Sequence, residues 1–174
     1  MNERQIPTQG EILERLNDVD DLQDRALVIF AYLTAGRANE ICGTVRKRDI
    51  FFTQKSERPV MLVTMPNLKN RIRSSKQLPV PLDREGVFVS MFVEYLGRLN
   101  DEDTLFPFCS RTGREKLKRI CGFDFRYMRH IRLTHLVVLY DFNEQLLIRF
   151  AGWTDGRPAK YYIELRWVDF LSKF

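Results

Sequence analysis

Histidine and cysteine are scarce in this chain, with two His and three Cys in 174 residues. His130 and His135 lie five apart and lack a carboxylate-rich neighbourhood. Cys42, Cys109 and Cys121 are scattered, without the paired spacing of metal ligands. Both patterns argue against a metal site, and no other cofactor is expected. The three thiols read as buried free cysteines of a reducing compartment. No apolar run approaches the ~18 residues that a membrane helix requires. The segment Met1-Asn2-Glu3-Arg4-Gln5 is polar and has no signal-peptide core. Internal repeats, low-complexity tracts and dividing linkers are also missing.

What remains is the material of one ordinary domain, residues 1–174. Hydrophobic residues make up 44% and aromatic residues 12%, with thirteen Phe, enough for a well-filled interior. The formal net charge is +5 and the isoelectric point about 9.2, an excess that suits a polyanionic partner.

Thr8 with Glu11 forms a capping box that opens a first helix with Ile12, Leu13 and Leu16 on one face. Asp21 to Tyr32 reads as a second helix, with Leu22, Ala26, Ile29, Phe30 and Leu33 turned inward. It ends at Gly36, which is expected to permit the turn that aims Arg37, and a short helix begins at Ala38. Strands are expected over 49–53, 59–65 and 76–82, the last at a sheet edge because of Pro79 and Pro81. A basic hairpin tip separates the second and third. Helices follow over 85–97 (Val87, Phe88, Met91, Phe92 and Tyr95 buried), 112–121, 126–141 and 143–151. The tail from Tyr161 to Phe174 is helical in pattern. The fold class is mainly α with a small three-stranded antiparallel sheet.

The chemistry concentrates in a few places. Arg126-Tyr127-Met128-Arg129-His130 supplies cations on one helix. Gly152-Trp153 adds an indole donor, and Tyr161-Tyr162 brings a phenol nine residues beyond Trp153. Arg37 lies far upstream in Ala35-Gly36-Arg37-Ala38-Asn39-Glu40. Phosphodiester transfer without a metal needs these parts: arginines to neutralise phosphate oxygens, donors to hold them and a hydroxyl to attack phosphorus. Arg126 and Arg129 share a helix face and repel unless an anion sits between them.

These residues resemble the catalytic domain of the tyrosine recombinase (phage integrase) family. The family's first box runs Thr-Gly-x-Arg-x-x-Glu, and Gly36-Arg37-Ala38-Asn39-Glu40 supplies its core. Its second box reads His-x-x-Arg-His, then three residues, then Thr-His-Leu. Arg126-Tyr127-Met128-Arg129-His130 and Thr134-His135-Leu136 keep that register, with arginine where the family usually has histidine. Gly152-Trp153 matches the family's Gly-His or Gly-Trp, with the nucleophilic tyrosine nine residues on.

The resemblance spans about residues 8 to 165 and implies DNA strand cleavage and rejoining through a 3′-phosphotyrosine. Arg37 and Arg129 would grip the phosphate, with Glu40 either orienting Arg37 or standing as a surface carboxylate. Trp153 would donate to phosphate and buttress the tyrosine, or be a core residue. Tyr162 is the expected nucleophile, with Tyr161 as alternate. A hairpin lysine, Lys69 in preference to Lys76, would protonate the leaving 5′-oxygen. Arg126 can neutralise but is a poor proton shuttle, because a guanidinium has donors and no acceptor. Both histidines are expected to be structural.

The partners implied are an attachment site in double-stranded DNA and further copies, in a tetramer joined through the C-terminal tail. The setting would be cytoplasmic, with the host genome. The family's separate N-terminal DNA-binding domain is absent from this chain, which reads as an excised fragment or a minimal enzyme. Arg126 and Trp153 resemble divergent integrases such as those of archaeal mobile elements. A type IB topoisomerase-like DNA relaxation activity and a non-catalytic DNA-binding module are the alternatives.

Overall fold

The computed structural model describes residues 6–68 and 74–171; of residues 165–171 only the backbone is described. Among the described residues the chain forms eight α-helices and one three-stranded antiparallel sheet in the order β1-β2-β3. The helices are α1 (Gln9–Asn17), α2 (Leu22–Thr34), α3 (Ala38–Ile41), α4 (Leu82–Leu96), α5 (Ser110–Cys121), α6 (Phe125–Tyr140), α7 (Glu144–Ala151) and α8 (Arg157–Leu171). The strands are β1 (Ile50–Lys55), β2 (Arg58–Asn67) and β3 (Ser74–Pro81). None of the described helices is long and apolar enough to cross a membrane.

Thr8 and Glu11 make the expected reciprocal capping box on α1, and the Asp21 carboxylate caps α2. Every residue of α2 from Ala26 to Thr34 is buried, and the helix packs against α4, α5 and α6. Burying side chains such as Leu27, Ile29 and Leu33 stabilises by about 1.5–3 kcal/mol each, so α2 is the pillar of the core.

The turn after α2 is not made by glycine. Ala35 takes the left-handed conformation (φ 49°) instead. Gly36 is required for space, because a Cβ there would lie 2.8 Å from Ile41 Cδ1 and 2.9 Å from Met65 Cε. This close approach brings β2 against α3 immediately beside Arg37.

In the sheet, Met65 pairs with Lys76 and Val63 with Leu78, so β3 is indeed an edge strand. One face carries Met61, Val63 and Met65 opposite Val80 and Leu78, all buried. Residues two apart share a face, so that face continues into Asn67 and Lys76. The apolar layer therefore ends in polar side chains at one end of the hairpin.

A buried polar network sets α6 against its neighbours. Arg132 on α6 pairs with Glu85 on α4, both almost fully buried. The Tyr140 hydroxyl donates to the same carboxylate at 2.7 Å, and the Tyr32 hydroxyl lies 2.9 Å from His135 Nδ1. His135, its pKa pushed down to about 4 by burial and Arg132, is thus the structural histidine the sequence suggested. Losing one side of such a pair costs about 3–5 kcal/mol.

Some expectations fail. Val87 is 61% exposed, and the inward face of α4 carries Glu85, Phe88, Val89, Phe92 and Tyr95 instead. Cys42 and Cys121 are buried, but Cys109 is exposed. The tail helix starts at Arg157, earlier than its apolar pattern, with Pro158 in its first turn, where a missing N–H does no harm. The tail side chains from Leu165 onward lie outside the described residues, as does the centre of the basic hairpin tip.

Candidate active site

Arg37 caps α3 and is fixed by Glu40. The Arg37 N–H donates to Glu40 Oε2 at 2.9 Å, and its Nη1 donates to Oε1 at 2.8 Å. The Glu40 side chain is fully buried while that of Arg37 keeps 32% exposure, so the carboxylate holds the guanidinium from behind and leaves its outer edge open. Glu40 is an orienting group and not a surface carboxylate.

Arg129 projects from α6 into the gap between the α2–α3 turn and the end of α7. Its Nη1 donates to the Ala35 carbonyl at 2.5 Å and its Nη2 to the Ala151 carbonyl at 2.8 Å. The guanidinium carbon lies 5.6 Å from the Trp153 ring centroid, a cation–π contact. Burial, together with the like charge of Arg37, pulls its pKa down to about 10. The repulsion expected between Arg126 and Arg129 is felt chiefly between Arg129 and Arg37. Arg126, exposed in the first turn of α6, lines the same cleft as Arg129.

Gly152 ends α7 with φ 68°. Asn67 Nδ2 donates to the Gly152 carbonyl at 3.4 Å, fastening the end of β2 to the segment that carries Trp153. The Trp153 and Tyr162 rings stack at 6.0 Å, with 23° between planes. The Tyr162 hydroxyl lies 3.3 Å from His130 Nδ1. Burial raises the Tyr162 pKa above its usual 10, against the opposing pull of Arg129 and Arg126. Tyr161 meets Tyr162 edge-on at 5.2 Å but is 54% exposed.

Arg37, Arg126, Arg129, His130, Trp153 and both tyrosines line one cleft of about 920 Å³, and Arg114 of α5 adds another cation to its wall. Lys69 lies outside the described residues. Lys76 lies beneath the arginines: its ammonium is buried without a hydrogen-bond partner among the described residues. Burial pulls its pKa down to about 8; Glu40 opposes this, while Arg129 and Arg37 add to it. Among the described residues these three cations share the carboxylate of Glu40, leaving a local excess of positive charge that a bound anion would relieve. Asn67 carries no motif in the sequence, and His130, expected to be structural, stands four residues after Arg126 on the same helix face and lines the cleft. Among the described residues no group of three or more His, Cys, Asp or Glu is arranged to hold a metal ion.

The fold is that of the tyrosine recombinase catalytic domain. The XerH site-specific recombinase bound to difH substrate in a pre-cleavage complex superposes with a TM-score of 0.62 at 15% identity, over 95% of this chain and 52% of that one. Lambda integrase (residues 75–356), a dimer bound to a COC′ core site, gives 0.60 at 13% identity, over 90% and 58%. FLP recombinase in a Holliday junction complex gives 0.51 at 15% identity, over 84% and 42%. This chain thus spans about half the length of the solved structures it matches. No protein-family model and no curated protein matches the sequence.

Proposed function

We propose that this chain is the catalytic domain of a site-specific DNA recombinase that cleaves and rejoins strands through a 3′-phosphotyrosine. The observation that carries this reading is the convergence on one cleft of a partly buried phenol, Tyr162, with Arg37, Arg126 and Arg129. The arginines hold the non-bridging oxygens of the scissile phosphate and neutralise the charge that builds in the transition state. Trp153 braces the Tyr162 ring. Tyr162 Oη attacks phosphorus, the P–O5′ bond breaks, and the 5′-oxygen leaves with a proton. Lys76 is the described group suited to supply that proton, because an ammonium with a pKa of about 8 gives it up readily. The bond energy stays in the phosphotyrosine, so the reverse attack by the 5′-hydroxyl reseals the strand. Assembly of copies on DNA through the C-terminal tail belongs to the same proposal.

The test uses nicked duplexes with a randomised core, denaturation in SDS and resolution of covalent adducts on a gel. Wild type and Tyr161→Phe form an adduct, whereas Tyr162→Phe forms none yet binds duplex within a few-fold of wild type. An adduct that persists in Tyr162→Phe refutes the nucleophile, and no adduct in wild type refutes the recombinase reading. Relaxation of supercoiled plasmid irrespective of sequence would favour a type IB topoisomerase-like enzyme. A truncation ending at Glu164 cleaves but no longer assembles on DNA, read by sedimentation.

A further inference from the structure

Tyr162 needs a proton acceptor. Burial holds its phenol above pKa 10, so at neutral pH almost none of it is phenolate, and an un-ionised phenol is a weak nucleophile. The family resemblance points to residue 126 for acid–base work, but Arg126 has no lone pair to offer. The same helix face carries an imidazole one turn later. His130 Nδ1 lies 3.3 Å from the Tyr162 hydroxyl, and the two rings are 5.5 Å apart.

We propose that His130 is the general base that takes the Tyr162 proton, so that acid–base duty has moved one turn along α6 while residue 126 has become a phosphate clamp. This inference rests on the recombinase reading. With its own proton on Nε2, the neutral imidazole accepts the phenolic proton at Nδ1 as Oη bonds to phosphorus and the P–O5′ bond breaks. On resealing, the imidazolium returns that proton to the departing phenolate. No proton is gained or lost over the cycle at this residue.

The surroundings keep His130 in the form the step requires. Half-burial lowers its pKa below the usual 6.5, so it is neutral at pH 7. On α6 it faces Arg126, Arg129 and the Tyr127 ring at 5.9 Å. Asp124, which caps α6, is the carboxylate on the cleft wall. From other elements come Arg37 before α3, Arg114 on α5, and Tyr161 on α8 with its ring 5.9 Å away. Cations outnumber carboxylates, which again disfavours imidazolium. As pH falls through the lowered pKa, His130 becomes charged and can no longer accept a proton, so cleavage declines on the acid side.

The deciding variant is His130→Asn, which sets an amide oxygen where Nδ1 stands and keeps a hydrogen-bond acceptor but cannot carry the proton. Single-turnover adduct formation on the nicked duplexes should fall on the order of 10²–10⁴-fold. Duplex binding should stay within a few-fold, and the acid limb of the pH profile should vanish. A rate within about threefold of wild type, or an unchanged acid limb, overturns the proposal. A second readout is independent of cleavage: titration of the His130 ring protons by NMR in wild type and Tyr162→Phe. Loss of the phenolic donor should raise the His130 pKa, and an unmoved titration overturns the proposal even if DNA is cut. Failure of the recombinase reading looks different, because wild type then forms no adduct while the His130–Tyr162 coupling persists.

Discussion

Replacing Lys76 by methionine should make the protein more stable and far less active. The ammonium is buried without a hydrogen-bond partner among the described residues, and its pKa falls from 10.5 to about 8. At about 1.4 kcal/mol for each pH unit, that difference amounts to about 3 kcal/mol of destabilisation by the charged form. The sign follows from proton linkage. Between pH 8 and 10.5 the unfolded chain holds a proton on Lys76 that the native state has released, so stability rises with pH across that window. Below pH 8 both states are protonated and the penalty is present in full. Methionine fills the same channel with an unbranched apolar chain. Urea unfolding at pH 7 should therefore show Lys76→Met stabilised by about 2–3 kcal/mol, a midpoint shift of about 1–2 M. The advantage should shrink toward zero by pH 10.5, while adduct formation on nicked duplex drops by about 10²-fold or more. A destabilised variant, or a stability difference that does not change with pH, refutes the assignment of Lys76 as the buried cation of this site.

Glu40→Gln removes the single carboxylate that Arg37, Arg129 and Lys76 share and should destabilise by about 3 kcal/mol, with Arg37 released from its pose. Its unfolding midpoint and its adduct yield should fall together. Gly36→Ala forces a methyl to within 2.8 Å of Ile41 and 2.9 Å of Met65. It should cost about 1–3 kcal/mol in thermal or urea unfolding, and it should lower cleavage further because Arg37 is the next residue.

The elements whose signals are local were legible in the sequence: the Thr8–Glu11 capping box, the apolar second helix and the proline-marked edge of β3. The residues that line the cleft, Arg37, Arg126, Arg129, Trp153 and Tyr162, were legible as a set because their types and gaps follow one recognisable pattern. Three features were not, each because it depends on tertiary packing. On α4, Glu85 sits on the buried face because Arg132 and Tyr140 reach it from α6, so the inward phase does not look apolar and Val87 was misplaced. Gly36 reads as a flexible turn, but its need for space comes from a methionine of β2 far along the chain. The contact between His130 and Tyr162 arises because α8 returns across α6. The inward position of Lys76 was also legible, because Lys76, Leu78 and Val80 alternate along β3.

The cleft separates two kinds of work among residues that composition alone would lump together as basic. Arg37, Arg126 and Arg129 carry only donors and can only hold or neutralise. Burial lowers the pKa of both Lys76 and His130, bringing the ammonium toward neutrality and keeping the imidazole uncharged at pH 7. In the proposed reaction they differ in the form that acts: Lys76 must be charged to give a proton, and His130 must be neutral to take one. Both conditions hold together only above the lowered pKa of His130 and below about 8, the pKa of Lys76. Burial therefore does more than shape the cleft. The desolvation that makes the unpartnered Lys76 ammonium a burden on the fold is also what makes it a willing acid, so the stability that methionine would restore is the free energy the site holds ready for the leaving oxygen.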